Sequence, residues 1–131
     1  MNHPRILLVD DSEDFLAELR AELCAAFDVL DSVSSGDAAI LAAARLDPDL
    51  IILDIAMPGT NGIHAARLLR AQSPRSRIVI LTINEQAEYV AAAFAAGVSA
   101  YVTKRRLSAD LPPAIAAALQ GATFLSPTLR R

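Results

Sequence analysis

Five polar residues of the chain stand where short apolar runs end. They are Asp10, Asp11, Asp54, Thr82 and Lys104, and they close the runs RILLVDD, LIILD, IVILT and AYVTK. Such runs are typical of buried strands in a parallel sheet, and parallel strands end at the same edge. Three carboxylates, a hydroxyl and an amine can therefore meet in one cleft, where they would suit Mg²⁺ and a phosphoryl group.

Strand-like and helix-like runs alternate along the chain, which predicts five βα units. The strands are predicted at 6–9, 28–32, 50–53, 78–81 and 100–102, and the helices at 12–27, 36–45, 63–72, 85–96 and 110–119. Right-handed crossovers then force an α/β fold with a flavodoxin-like, doubly wound five-stranded parallel sheet, (βα)5, of strand order 2-1-3-4-5. Pro112 and Pro113 are expected in the first turn of the last helix, where their missing N–H groups cost little.

The three aspartates are expected to crowd one another at the switch point of this sheet. Asp10 and Asp11 end the first strand and Asp54 ends the third, and neighbouring strands lie ~4.8 Å apart. Crowded carboxylates repel, and their pKa values rise unless a cation lies among them. A hard divalent ion with oxygen ligands fits such a site, although single aspartates could also serve only as caps of helices and turns.

Composition limits the remaining possibilities. The 131 residues are enough for one domain, 53% of them are hydrophobic, and the net charge of −3 gives no electrostatic reason to bind nucleic acid. The single cysteine, Cys24, cannot form an internal disulfide, which fits a reduced compartment. No segment is long enough to span a bilayer and none has the pattern of a signal peptide, so we expect a cytoplasmic protein.

Taken together and in order, these residues resemble the receiver domains of two-component response regulators. The resemblance covers residues 5 to 121. It is carried by the pair Asp10–Asp11, by Asp54 at the end of LIILD, by the loop with Met57-Pro58-Gly59 and Gly62, by Thr82 after IVIL, and by Tyr101 three residues before Lys104.

The resemblance implies a phosphoacceptor and a metal site. Asp54 would take a phosphoryl group from a histidine kinase or phosphotransfer protein and form an aspartyl phosphate. Asp11 would be the main Mg²⁺ ligand, Asp10 and Asp54 would contribute to the same site, and Ala56 would offer only its backbone carbonyl.

The resemblance also implies a switch and no substrate turnover beyond the domain's own phosphorylation and dephosphorylation. Lys104 would pair with one phosphoryl oxygen and Thr82 would hydrogen-bond another. Tyr101 would rotate inward when Thr82 follows the phosphoryl group, which would change the face formed by helix 4, strand 5 and helix 5. A homodimer is a possible consequence.

Two positions depart from the family pattern. Receivers often carry Pro after the cleft lysine, with a cis peptide bond, whereas Arg105 follows Lys104 here. Ala or Gly usually follows the cleft threonine, whereas this chain has Ile83. We expect Ile83 to narrow the access to the phosphoryl group and to slow its exchange with small donors or water.

The last residues bear on the output. We expect a receiver domain at 1–121, followed at 122–131 by a tail or the start of a linker, because this stretch resembles the one after the receiver in LuxR/NarL-type transcription factors. DNA binding would then reside in residues outside this chain. A stand-alone regulator acting by protein contacts, a pseudo-receiver and a small-molecule phosphatase or phosphotransferase remain open, although the last usually has a second Asp where Ala56 stands.

Overall fold

A computed structural model describes residues 3–59 and 61–130 and has a parallel sheet with helices on both faces. The strands are β1 (Arg5–Val9), β2 (Asp28–Val33), β3 (Leu50–Leu53), β4 (Arg77–Thr82), β5 (Ala100–Thr103) and β6 (Phe124–Leu125). The helices are α1 (Glu13–Leu23), α2 (Gly36–Leu46), α3 (Gly62–Gln72), α4 (Ala87–Ala95) and α5 (Leu107–Leu119), with a short 3-10 turn at Lys104–Arg106. Among the described residues, no helix has the length and apolar character needed to cross a membrane.

The strand order places β1 and β3 side by side in the middle of the sheet. The order is β2-β1-β3-β4-β5-β6, which confirms the predicted order of the first five strands. Val9 lies opposite Leu53, and the N–H of Asp54 donates to the carbonyl of Val9 at 3.0 Å. Asp10 and Asp54 therefore leave the sheet next to each other.

Two apolar layers hold this sheet. Alternate residues of each central strand face opposite sides, so that Leu7 and Val9 join one cluster while Ile6 and Leu8 join the other. The first cluster includes buried residues of α2, α3 and α4, and the second includes those of α1 and α5. Complete burial on both faces explains why these strands read as continuous apolar runs.

The sheet has one strand more than predicted. Phe124 and Leu125 form β6, which pairs in parallel with β5, although residues 122–131 were expected to be a tail or linker. Ser126 is fully buried, where its N–H donates to the carbonyl of Tyr101 and its Oγ accepts from the N–H of Thr103. A two-residue strand is too short to show alternation, so only these tertiary hydrogen bonds reveal it. The role of residues 122–131 as a link to an output domain stays a prediction.

The start of α5 was predicted wrongly. The helix begins at Leu107, so Pro112 and Pro113 lie inside it and not in its first turn. Their rings remove the N–H groups that would bond to the carbonyls four residues earlier, at Ser108 and Ala109. Both of those residues are exposed, so water can hydrate the carbonyls and the helix continues through the prolines.

Candidate functional site

The three predicted aspartates meet at the carboxyl edge of the sheet. One carboxylate oxygen from each of Asp10, Asp11 and Asp54 lies within 4.8 Å of the other two. Asp10 and Asp54 are 2% and 3% exposed, whereas Asp11 faces solvent. This arrangement follows from the pairing of β1 with β3, and it offers a hard cation three oxygen donors from one open side.

Lys104 lies between two of these carboxylates. Its Nζ is 2.7 Å from Oδ2 of Asp10 and 3.3 Å from Oδ2 of Asp54, and its side chain is 18% exposed. The residue follows β5 directly, as predicted, and it opens the 3-10 turn at the same edge of the sheet. The ammonium thus bridges the two buried carboxylates, while its predicted contact with a phosphoryl oxygen stays a prediction.

Backbone N–H groups fix the other oxygen of each buried carboxylate. The N–H of Ser12 donates to Oδ1 of Asp10, and the N–H of Ala56 donates to Oδ1 of Asp54, both at 2.9 Å. Ser12 also caps α1, because its Oγ accepts from the N–H of Phe15. Ala56 therefore orients Asp54 through its N–H, while the use of its carbonyl as a metal ligand stays a prediction.

The cleft is short of positive charge. Burial raises the pKa of Asp10, and the hydrogen bond from Lys104 offsets this only in part. Burial alone would lower the pKa of Lys104, but the hydrogen bond to Asp10 and the charges of Asp54 and Asp10 raise it overall. The cleft therefore has one ammonium for three carboxyl groups, and a donor set made only of oxygens fits Mg²⁺.

Phe15 is a cleft residue that the sequence reasoning did not select. Its ring centroid lies 4.1 Å from Nζ of Lys104, which places the ammonium over the ring in a cation–π contact. Phe15 is in the first turn of α1, on the turn that Ser12 caps. An aromatic residue four positions after Asp11 was the available signal, but helical spacing assigned it to the apolar core.

Thr82 closes β4 next to the cleft and is fully buried. It lies opposite Thr103 in β5, the residue before Lys104. Its Oγ1 accepts a hydrogen bond of 3.3 Å from the N–H of Asn84, two residues along the loop between β4 and α4. Ile83 between them is 71% exposed, so its apolar side chain stands in solvent beside Thr82.

Tyr101 points inward in the structure. The side chain is fully buried, and its hydroxyl donates a hydrogen bond of 2.7 Å to the carbonyl of Asn84. Burial, together with the negative charges of Asp54 and Glu85, raises the pKa of the phenol, which keeps the hydroxyl protonated as a donor. Thr82 and Tyr101 are thus connected through one residue, Asn84, while their coupling as a switch stays a prediction.

Glu85, the next residue in this loop, was also missed. Its carboxylate accepts hydrogen bonds from Oγ1 of Thr103 at 2.6 Å and from Nε and Nη2 of Arg105 at 2.7 and 3.0 Å. The bonds from Arg105, followed by that from Thr103, lower the pKa of Glu85 to about 2. None of the peptide bonds in the described ranges is cis, so the link from Lys104 to Arg105 is trans.

Gly62 fixes the loop that follows Asp54. A Cβ at this position would lie 2.4 Å from Cα of Ile55, so only glycine allows the start of α3 to pack on the residue after the phosphoacceptor candidate. Asn61 caps the same helix through its side chain, which accepts from the N–H of His64. The glycine-containing loop of the sequence motif therefore serves close packing around Asp54.

Comparisons with known proteins agree with this geometry. The family described as "Response regulator receiver domain" matches residues 6–116. The nitrate/nitrite response regulator protein NarL of Escherichia coli K12 is 36% identical over 126 residues, which cover 95% of this chain and 58% of NarL. A response regulator GacA of Pseudomonas viridiflava is 30% identical over 128 residues, which cover 95% of this chain and 59% of GacA.

Solved structures show the same fold. A LuxR-family two-component response regulator from Aurantimonas sp. SI85-9A1 superposes with a TM-score of 0.90 at 32% identity, covering 96% of this chain and 91% of that one. The isolated receiver domain of RcsB from Salmonella enterica serovar Typhimurium, solved with the phosphomimetic BeF3−, gives 0.86 at 26% identity, with 96% and 95% covered. The chain spans a little more than half the length of the curated relatives it matches. The chain belongs to the family of response regulator receiver domains, as the order of its cleft residues indicated.

Proposed function

We propose that this receiver domain acts as a signalling switch that is phosphorylated on Asp54, in a Mg²⁺-dependent reaction, by a histidine kinase or phosphotransfer protein. The observation that carries the proposal is the position of Asp54. Its carboxylate is buried beside two others, one of its oxygens bonds to a backbone N–H, and the other lies 3.3 Å from Lys104. Such an arrangement orients a carboxylate nucleophile and provides a cation for the incoming charge.

The cleft residues divide the work of phosphoryl transfer. An oxygen of Asp54 attacks phosphorus while the bond from phosphorus to the donor breaks, and the donor leaves with the electron pair of that bond. Lys104 supplies positive charge to a phosphoryl oxygen. Asp10, Asp11 and Asp54 would hold the Mg²⁺ together with the carbonyl of Ala56. When bound, the ion offsets the negative charge of the phosphoryl group against the carboxylates.

Thr82 and Tyr101 read the result. A phosphoryl oxygen on Asp54 offers Thr82 a new hydrogen-bond partner in place of the N–H of Asn84. Because Asn84 also accepts from Tyr101, movement of this loop reaches the buried ring in β5. The movement of the loop and of the Tyr101 ring then alters the surface formed by α4, β5 and α5.

The output is transcription regulation through a DNA-binding part that lies outside these residues. The matched proteins support this, because they include transcriptional regulatory proteins and an RcsB bound to a promoter. Dimers of RcsB on DNA support a homodimer as the active form here. Such a regulator would work in the cytoplasm. The stand-alone and pseudo-receiver alternatives are not favoured, since the cleft is complete and the relatives are response regulators.

The test is incubation with Mg²⁺ and a small acyl phosphate, followed by intact-mass measurement. We expect wild-type protein to gain one phosphoryl group and Asp54→Asn to gain none. Asp49→Asn is the matched control, because it removes a carboxylate at the opposite edge of the sheet and should be labelled like wild type. Equal labelling of wild type and Asp54→Asn would show that Asp54 is not the acceptor.

A further inference from the structure

Glu85, Thr103 and Arg105 form a cluster that we name the Glu85 clasp. The carboxylate of Glu85 in the β4–α4 loop receives a hydroxyl bond from the last residue of β5 and two guanidinium bonds from the turn after it. The bonds span 18 and 20 residues of sequence. The β4–α4 loop and the turn after β5, which are separate in the sequence, are thereby joined beside the cleft.

The clasp lies next to the hydrogen bond that keeps Tyr101 inward. Asn84 accepts from the Tyr101 hydroxyl, and Glu85 is the following residue. Thr103, two residues after Tyr101 in β5, bonds to Glu85. The loop is therefore attached to β5 at two successive residues, and moving the loop away from β5 would break both attachments.

We propose that the Glu85 clasp positions the β4–α4 loop so that Tyr101 favours its inward orientation, and that Arg105 thereby promotes phosphorylation of this receiver. The inference deepens the proposed function and rests on it. Arg105 occupies the position at which receivers often carry Pro. With a trans peptide bond after Lys104, the side chain of Arg105 extends back to Glu85, so an ion pair joins the two loops.

The chemistry of the clasp sets the size of its effect. A bidentate pair between Arg and a carboxylate has a defined geometry and is stronger than a single neutral hydrogen bond. However, the side chains of Arg105 and Glu85 are 61% and 32% exposed, so solvent and salt weaken the attraction. Loss of the clasp should therefore lower the ratio of inward to outward Tyr101 by about two- to five-fold, and by less at high salt.

The chain provides a direct reporter of this shift. It has two tyrosines, and Tyr89 is 41% exposed while Tyr101 is fully buried. Protein labelled with 3-fluorotyrosine should give two ¹⁹F NMR signals. The signal of Tyr89 should have a chemical shift near that of solvent-exposed fluorotyrosine, and the signal of Tyr101 should be displaced from it. In Arg105→Gln we expect the Tyr101 signal to move toward the exposed value while the Tyr89 signal stays. An unchanged Tyr101 signal would overturn the proposal.

The affinity for beryllofluoride in the presence of Mg²⁺ provides a second test of the clasp. We expect Arg105→Gln to bind about two- to five-fold more weakly than wild type. Arg75→Gln is the matched control, because Arg75 also forms an exposed ion pair but at the opposite edge of the sheet. An equal loss in both variants would mean a general charge effect and would refute the clasp.

A charge exchange distinguishes the clasp from a merely structural role. Glu85→Arg and Arg105→Glu should each weaken binding, since each places like charges in contact. The double variant should recover most of the wild-type affinity and Tyr101 signal because the attraction is restored. Additive losses in the double variant would refute the coupling.

Failure of the clasp can be told apart from failure of the proposed function. If wild type takes up a phosphoryl group and Asp54→Asn does not, the phosphoacceptor stands whatever the Arg105 variants do. If Asp54→Asn is labelled like wild type, the proposed function fails, and with it the link between clasp and phosphorylation. The ¹⁹F signal of Tyr101 in protein without phosphodonor still decides whether the clasp positions the ring.

Discussion

The carboxyl edge and the amino edge of the sheet both carry aspartates and cations, but these groups differ in burial and in ion pairing. At the carboxyl edge, Lys104 lies between Asp10 and Asp54, and all three are largely buried. At the amino edge, Arg75 bonds to Asp49 and also to Asp47, with a side chain that is 55% exposed. The carboxyl edge has three carboxyl groups and one largely buried ammonium, whereas at the amino edge two carboxylates share the exposed guanidinium of Arg75 and Asp49 also accepts from the backbone N–H of Arg5.

The protonation of the aspartates shows what this difference means. Burial raises the pKa of Asp10, whereas the backbone N–H of Arg5, assisted by Arg75, lowers the pKa of Asp49 despite some burial. The folded state thus favours the charged form of Asp49, relative to the unfolded chain, and disfavours the charged form of Asp10. Chemistry is to be expected at the edge where negative charge is left uncompensated.

The largest expected effect is that of removing the cation from the cleft. Lys104→Met should lower the free energy of unfolding at neutral pH without Mg²⁺ by about 3 kcal/mol, because buried Asp10 and Asp54 lose their counter-ion. Excess Mg²⁺ should recover part of this loss, since it binds the folded carboxylates. Urea unfolding with chelator and with Mg²⁺ measures both effects.

Arg75→Gln is the comparison at the other edge. Its ion pairs are exposed, so we expect a loss below about 1 kcal/mol and no recovery with Mg²⁺. Losses of similar size in the two variants would remove the distinction between the edges.

Neutralising one aspartate at each edge should change stability in opposite directions. With chelator at pH 7, Asp10→Asn should raise the free energy of unfolding, whereas Asp49→Asn should lower it by about 1 kcal/mol. The contribution of Asp49 is present above its unfolded pKa near 3.8 and is lost as pH falls through its lower folded value. The cost of Asp10 disappears as pH falls through its raised folded pKa toward 3.8.

Unfolding curves of both variants between pH 3 and pH 7 test this pair of signs. Both differences from wild type should shrink toward the acidic end, because protonation of a carboxyl group removes the energetic difference between its charged folded and unfolded forms. A destabilised Asp10→Asn at neutral pH would mean that the carboxylate is fully compensated by Lys104 and that the cleft has no excess charge.

The two ends of α1 offer a smaller contrast. Phe15, at the cleft end, makes a cation–π contact with Lys104. Phe27, just beyond the far end, packs like Phe15 against the apolar cluster that includes residues of α1 and α5. Phe15→Leu should slow phosphorylation by a small acyl phosphate about five-fold, through loss of the cation–π contact. Phe27→Leu should leave the rate unchanged, and Phe15→Tyr should retain it. Equal rates in Phe15→Leu and wild type would assign Phe15 to packing alone.

The smallest expected effect concerns the mouth of the cleft. Ile83 is exposed beside Thr82, so Ile83→Ala should open access for water and speed dephosphorylation a few-fold. Leu41→Ala is the control, because Leu41 is equally exposed on α2. The decay of phosphorylated protein followed by intact mass measures both, and an unchanged lifetime in Ile83→Ala would contradict the proposed shielding.

Strong local patterns were predictable from the sequence. The runs ILLV and LIIL are buried on both faces, so their apolar character alone predicts central strands, and Gly97 ends α4 with a positive φ of 98° as a cap should. Where the local sequence pattern was weak, contacts with distant residues determined the structure, and the prediction was wrong. Phe124–Leu125 became a strand because β5 offered a free edge, and α5 started early in spite of its two prolines.

By itself, the sequence determined that the five predicted cleft residues gather at the carboxyl edge, because parallel strands end at one edge and each of these five residues ends or follows a strand. Only the tertiary structure decided how those residues are partnered. The ring of Phe15 against Lys104, the inward Tyr101 on Asn84 and the reach of Arg105 to Glu85 each join residues far apart in the chain. Such contacts depend on the relative placement of helices and loops over the sheet, which strand periodicity does not encode.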